Sequence, residues 1–471
     1  MIAARSFAHQ NAAVFGLARS GIASVRSLRA GGARVYAWDD KESARVAAEA
    51  EGAEVLPWRD WPWDKLKALV LSPGVPLTHP APHDIVVKAQ ASNTEVIGDI
   101  ELFAREIRPD AAFRGSAPVI AITGTNGKST TTALTGHILN SCGFDAQVGG
   151  NIGKPVLELT PPGAKTIYVL EVSSYQIDLS PGLKPDVAVL SNITPDHIDR
   201  HGSLEAYAAV KARLLEQVTG GVAVIGVDDA LTSAIYTKLM SLGQQALPVS
   251  VGKVLGRGVF VLDGVLYDSQ GGRANRIVDF AAASHLPGAH NWQNIAVAYA
   301  ATRALAKDPR DIMTAIATFP GLAHRIEQVG AIAHVRFVND SKATNADAAA
   351  KALACYDNIY WIAGGKAKEG GIDSLAPFFP RIRKAYLIGA ASDRFAETLS
   401  GHVDIDRSGT LDVAMRHAAA DAAQSRAADP VVLLSPACAS FDQFRDFEQR
   451  GNEFKRIFAV LAEEARLRGA A

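Results

Sequence analysis

A chain of 471 residues exceeds what one hydrophobic core usually fills, which predicts two to four domains. With 48% hydrophobic and 21% charged residues it reads as soluble and globular, and 48 basic against 49 acidic residues give a net charge of −1. That balance favours neither a nucleic-acid nor a membrane partner, and no stretch approaches the roughly 20 apolar residues of a membrane span.

The N-terminus, Met1 to Ala12, has no apolar core long enough for a signal peptide. Cys142, Cys355 and Cys438 are far apart and show no metal-ligand spacing, so they read as free thiols in a reducing compartment. A cytoplasmic, monomeric protein is the expectation.

Strand-like runs alternate with helical patterns nearly throughout, which predicts an α/β fold with mostly parallel sheets. In the first region, to about Arg108, Ala12 to Phe15 reads as a strand. Gly16-Leu17-Ala18-Arg19-Ser20-Gly21 turns into a helix ending near Gly31-Gly32. Ala33 to Trp38 is the next strand, closing with Asp39 and Asp40. This βαβ unit has an acidic residue about 20 positions past its glycine turn, as in dinucleotide-binding folds. The middle glycine is missing, so a plain helix N-terminus is an equal reading. Another strand ends at Leu71-Ser72-Pro73-Gly74-Val75.

The Pro-containing stretch from Ile107 to Pro118 reads as a linker. The second region runs to about Gly321, with strands expected at Thr166 to Val172, Asp186 to Ile193 and Gly221 to Val227. A hairpin is expected over Val259 to Asp268, because Asp263-Gly264 suits a two-residue turn. A helix follows from about Asn291 to Leu305. The third region, from about Leu322 to the end, offers strands at His334 to Val338, Ile359 to Ala363, Ala385 to Ile388 and Val431 to Leu434, then a closing helix.

Chemistry concentrates at strand ends, where ligands bind in open parallel sheets. Val119 to Ile122 leads into Thr123-Gly124-Thr125-Asn126-Gly127-Lys128-Ser129-Thr130. A glycine turn entering a helix points backbone N–H groups at a phosphate; Lys128 adds a cation, and Ser129 or Thr130 offers a hydroxyl to Mg²⁺. The glycine spacing departs from the ordinary P-loop. Glu171, at the end of a buried strand, suits either Mg²⁺ or the cap of the next helix. Asp196-His197-Ile198-Asp199-Arg200-His201 suits a metal, acid–base chemistry or a salt-bridged loop.

Spacing alone puts Lys211 on a solvated helix face. His324-Arg325-Ile326-Glu327 offers an arginine that reaches either a phosphate or an inter-domain carboxylate. Three further strand ends carry Asn339-Asp340-Ser341-Lys342-Ala343-Thr344-Asn345, Gly364-Gly365-Lys366-Ala367-Lys368 and Ser435-Pro436-Ala437-Cys438-Ala439-Ser440. Three such loops together imply a small anionic ligand.

In combination these segments, with Gly150-Asn151-Ile152-Gly153, resemble the Mur ligase family of ATP-dependent amide-forming enzymes, collinearly over essentially the whole chain. Within it, the segments around Asp340 and Cys438 and the run Phe447-Glu448-Gln449-Arg450-Gly451 are most similar to the members that add D-glutamate to UDP-N-acetylmuramoyl-L-alanine. The resemblance implies a Rossmann-like UDP-sugar domain over 1–108, a P-loop-like ATP-binding domain over 109–321 and a Rossmann-like amino-acid domain over 322–471.

Site roles follow from the same resemblance. Gly124, Thr125, Asn126, Gly127, Lys128, Ser129, Thr130, Asn294, Arg325 and Asp340 would contact ATP, with Lys342 near the reacting phosphate. Ser129, Glu171, His197 and a CO₂-carbamylated Lys211 would hold Mg²⁺, two ions in all. Lys128, His197, Lys211 and Lys342 would be catalytic. Thr344, Lys368, Ser440 and Phe447 would receive D-glutamate. Arg19, Ser20, Asp39, Ser72, Gly74 and Asn151 would receive the UDP-sugar. Arg19-Ser20 and Asp40-Lys41 depart from the pattern associated with those members. Another Mur ligase or a folylpolyglutamate synthase is the sibling alternative. A nucleotide-dependent oxidoreductase lacks its middle glycine here, and a GTPase switch lacks its Asn-Lys-x-Asp element.

Overall fold

The computed structural model describes residues 1–107, 117–280, 286, 289–305, 308–367 and 371–469. The expected linker lies largely outside these residues, as does Lys368. Two compact units divide the chain: Met1–Ala283 with Asn291–Phe319, and Pro320–Ala471 with Ser284–His290.

The first unit holds two sheets. β1 (Asn11–Phe15), β2 (Arg34–Trp38), β3 (Glu54–Val55), β4 (Leu66–Leu71) and β5 (Glu95–Ile97) form a parallel sheet in the order 3-2-1-4-5. The glycine turn after β1 opens the helix Arg19–Ala30, which stops at Gly31 as its sequence predicts.

Among the described residues the second sheet has nine strands: β6 (Val119–Thr123), β7 (Asp145–Gly150), β8 (Thr166–Glu171), β9 (Val187–Leu190), β10 (Val222–Gly226), β11 (Ala246–Val251), β12 (Val259–Leu262), β13 (Val265–Asp268) and β14 (Asn275–Asp279). Their order is 14-13-12-11-10-9-6-8-7, antiparallel only across 12-13-14. β6, β8 and β9 are buried at every residue, as strands covered on both faces must be. The two sheets share one hydrophobic core, with Phe103 edge-on to Tyr168 at 5.0 Å.

The second unit carries β15 (Glu327–Ile332), β16 (Val335–Asn339), β17 (Ile359–Gly364), β18 (Ile382–Ile388), β19 (Asp404–Gly409) and β20 (Val431–Leu434), in the order 15-16-20-17-18-19. Only β15 runs antiparallel. The closing helix spans Phe447–Gly469. Among the described residues, no helix is long and apolar enough to cross a membrane.

The expected hairpin is β12–β13, with Asp263 at φ 49° and Gly264 at φ 74°. Both positive angles match a type I′ turn. A Cβ at Gly264 would meet Trp292 at 3.6 Å, an ordinary contact, so only backbone strain opposes substitution. Gly264→Ala should therefore cost about 1 kcal/mol, while Asp263→Asn should change stability by less than about 0.5 kcal/mol. Urea midpoints of the two variants against the parent check this.

Candidate active site

The phosphate loop lies between β6 and the helix Lys128–Ser141. Gly127 caps that helix at φ 81°, and a Cβ there would sit 2.0 Å from Asn294 Oδ1. A Cβ on Gly124 would sit 2.0 Å from Ser191 Oγ. The glycines are thus required by close approach as much as by dihedral angle.

Asn192 braces the loop: its carbonyl accepts from Thr125 N at 2.9 Å and its Oδ1 from Asn126 N at 2.9 Å. The Lys128 ammonium folds back onto the carbonyls of Gly124 and Thr125 at 2.9 and 2.8 Å. Ser129 is buried and Thr130 half-buried in the helix's first turn. Asn294 is buried, accepting from Thr131 Oγ1 and donating to Asn291 Oδ1 at 3.0 Å.

Lys211 overturns the solvated reading its spacing suggested. It is 1% exposed on the helix Leu204–Glu216. Its Nζ donates to Thr123 Oγ1 at 3.1 Å and to the Gly124 carbonyl at 3.0 Å, and lies 4.7 Å from the Tyr207 ring. Burial, reinforced by the Lys128 cation, drives its pKa well below the usual lysine value; Asp196 and Glu171 oppose this more weakly. Such a site disfavours the charged ammonium relative to water.

Glu171 ends β8 and is buried. Its Oε1 accepts from Asn151 Nδ2 at 2.8 Å, and its Oε2 is buried without a hydrogen-bond partner. His197 is left-handed at φ 53° and half-exposed, with Nδ1 2.9 Å from the Tyr175 hydroxyl. Among the described residues, no three His, Cys, Asp or Glu side chains converge as a metal site. The orphaned Glu171 oxygen fits a hard, oxygen-seeking cation such as Mg²⁺, and further oxygens are needed to complete its shell.

In the first sheet, Asp39 accepts from Leu17 N at 2.7 Å and from Lys41 N at 2.9 Å. One oxygen thus holds the glycine turn at Leu17, and the other caps the turn that follows Asp39 itself. Ser20 and Ser72 line a narrow cavity with Gly21, Ser24 and Asp99, whose buried carboxyl has its pKa raised by desolvation. Gly74 is exposed. Arg19 donates to the Gly153 carbonyl at 2.5 Å, tying this turn to the Gly150–Gly153 loop that carries Asn151.

In the second unit, Arg325 stands between two positive-φ residues, His324 and Ile326. Asp340 accepts from Ile326 N at 3.2 Å and from Ser435 Oγ at 2.8 Å. Burial pushes its pKa up to about 7, against those bonds and the charges of Arg325 and Lys351. Lys342 Nζ lies 4.3 Å from the Phe447 ring. Thr344 is half-buried and donates its N–H to the Lys342 carbonyl at 2.8 Å. Ser440 is buried, next to the bridge between Lys366 and Ala439.

The sequence reading missed Arg450 as a site residue. Fully buried, it donates to Ser341 Oγ at 3.0 Å, the Ser341 carbonyl at 2.8 Å and the Cys438 carbonyl at 3.1 Å, joining two of the predicted loops. Tyr207, Asn192 and Tyr175 were missed too. Only Tyr207 left a signal, standing four residues before Lys211 on one helix face.

Comparisons with known proteins bear on this arrangement. The model of the Mur ligase middle domain matches residues 122–302, and that of the Mur ligase glutamate ligase domain matches 324–438. The UDP-N-acetylmuramoylalanine--D-glutamate ligase of Caulobacter vibrioides (strain NA1000 / CB15N) is 54% identical over 457 residues, 97% of each chain. The protein of that name from Phenylobacterium zucineum is 52% identical over 466 residues, 98% of this chain and 99% of its own. Among solved structures, UDP-N-acetylmuramate-alanine ligase MurC from Thermotoga maritima aligns at TM-score 0.59 and 15% identity, covering 96% of this chain and 99% of that one. MurF from Acinetobacter baumannii aligns at 0.57 and 19%, covering 92% and 91%. At such identities these two structures speak to the fold alone.

Two outcomes are expected from the geometry. Gly127→Ala should abolish ATP binding in equilibrium dialysis, because its Cβ overlaps Asn294. For Asp340, the folded carboxyl holds its proton to about pH 7, whereas the unfolded one releases it near 4. The folded state binds more protons between those values, so the Asp340 contribution to stability falls as pH rises through that window. Asp340→Asn should gain stability relative to the parent from pH 5 to pH 8, read from urea midpoints at each pH.

Proposed function

The chain belongs to the Mur ligase family, and from that premise we infer that it joins D-glutamate to UDP-N-acetylmuramoyl-L-alanine at the expense of ATP, in peptidoglycan precursor synthesis. Identity of 54% over 97% of the chain to a ligase named for that reaction supports this choice of substrates. The observation that carries the chemistry is the meeting of two lysines at one carbonyl: Lys128 and Lys211 both donate to Gly124 O, at 2.9 and 3.0 Å.

A carboxylate is a poor electrophile because its leaving group would be oxide or hydroxide. Transfer of the γ-phosphoryl group gives an acyl phosphate and ADP. The amine of D-glutamate then attacks the acyl carbon, and the tetrahedral adduct collapses to amide and phosphate. The first step brings two anions together, so its rate depends on cations placed beforehand. Lys128, released from the loop carbonyls, would meet the phosphates, with the N–H groups from Gly124 to Thr130 around them. Asn294 would fix the helix against the nucleotide. Arg325, Asp340 and Lys342 would contact ATP, while Thr344, Lys368, Ser440 and Phe447 would receive D-glutamate. Arg19, Ser20, Asp39, Ser72, Gly74 and Asn151 would serve the UDP-sugar.

Ser129, Glu171, His197 and Lys211 would hold Mg²⁺, which when bound neutralises phosphate and carboxylate charge. Lys211 takes part as the carbamate: its desolvated amine adds CO₂, loses a proton and becomes an oxygen anion. A monomer acting in the cytoplasm completes the reading.

The deciding assay supplies ATP, Mg²⁺ and UDP-N-acetylmuramoyl-L-alanine, then D-glutamate, L-lysine, L-alanine or meso-diaminopimelate. Phosphate release with D-glutamate alone is expected; release with another amino acid instead overturns the assignment. Lys128→Ala should eliminate acyl phosphate formation. Bicarbonate labelled with ¹³C should give a carbamate resonance in the parent chain that Lys211→Arg lacks.

A further inference from the structure

His197 is held in a conformation that L residues adopt only under constraint, φ 53° and ψ 31°. Its ring is gripped at Nδ1, 2.9 Å from the Tyr175 hydroxyl, while Nε2 lies 3.4 Å from Asp196 Oδ2. Tyr175 is itself anchored. It sits in the helix Ser174–Asp178, capped reciprocally by Ser173 and Gln176. The Arg200 guanidinium lies 5.2 Å from its ring, and the His201 ring 5.6 Å away. His201 is secured in turn by Ser174 Oγ at 2.9 Å.

We propose that Tyr175 is a positioning residue that holds the His197 imidazole by Nδ1 and thereby presents Nε2 to a divalent cation. The inference rests on reading His197 as a cation ligand. A phenol both donates and accepts, so one hydroxyl serves either tautomer. When Nδ1 is unprotonated the hydroxyl donates to it, and Nε2–H faces Asp196. When Nδ1–H donates to the phenol oxygen, Nε2 carries the lone pair a cation needs. The ring loses a proton at one nitrogen and gains one at the other, with no net change in charge. Tyr175→Phe would remove only the hydroxyl and keep the ring that faces Arg200 and His201.

Mn²⁺ can be titrated into the full chain by electron paramagnetic resonance, with the β,γ-methylene analogue of ATP present. Partners of this kind are worth roughly 10- to 100-fold in metal affinity. Tyr175→Phe is expected to weaken the His197-dependent site by about tenfold without changing affinity for the analogue, and to broaden the ¹⁵N tautomer signature of His197. Affinity within twofold of the parent, with His197→Ala still weakening the site, overturns the role of Tyr175 alone. A His197→Ala chain that binds Mn²⁺ as the parent does overturns the ligand reading and this inference with it. Equal loss of Mn²⁺ and analogue binding in Tyr175→Phe marks a general structural role and also overturns it.

Discussion

The amino group of Lys211 has been taken out of water and set against the backbone of the phosphate loop. Much of the first unit follows from accommodating it. Its contacts are Thr123 Oγ1, the Gly124 carbonyl and the Tyr207 ring, none of them a full negative charge. Lys128 occupies the same carbonyl. Burial first, and then repulsion between two ammonium groups at one oxygen, lower the Lys211 pKa well below the usual lysine value. The burial that packs Lys211 against the loop thus disfavours its charged form. One constraint therefore links the packing of the helix Leu204–Glu216 to the charge carried beside the loop.

The same economy governs the loop. Gly124 and Gly127 leave no room for a Cβ because Ser191 and Asn294 close in on them, and those neighbours are held by other parts of the central sheet. Asn294 comes from a helix more than 160 positions further along the chain, so the phosphate cradle is shaped by tertiary packing as well as by its own turn. The first sheet is fastened to this frame through the common core, through Arg19 on Gly153, and through Arg200, whose guanidinium approaches the Val75 carbonyl at 3.5 Å.

What could be read in the sequence was whatever local chemistry forces. The phosphate loop was legible because positive φ, close approach and an anion-facing helix start leave few residue choices. Fully buried strands such as β6, β17 and β20 were legible as apolar runs. β7, β14, β15 and β19 were not: they carry polar or exposed residues, and their pairing is set by neighbours distant in sequence. Lys211 misled for the same reason, since helical spacing says which residues share a face but not what covers it. Asp39 was legible as an acid at a strand end; that one of its oxygens holds the glycine turn at Leu17 depends on distances no spacing encodes.

Arg450 shows what that hidden layer contributes in the second unit. A buried guanidinium is costly unless its donors are met, and here they go to Ser341 and to two backbone carbonyls, all uncharged. Its NH1 is buried without a hydrogen-bond partner, and desolvation lowers its pKa to about 10, which still leaves it cationic near neutrality. The nearby Asp340 is protonated up to about pH 7 and offsets little of that charge below it. The loops after β16 and β20 are therefore joined by a cation that no bonded carboxylate neutralises. The arginine spends its hydrogen bonds on holding loops together instead of on an acidic partner.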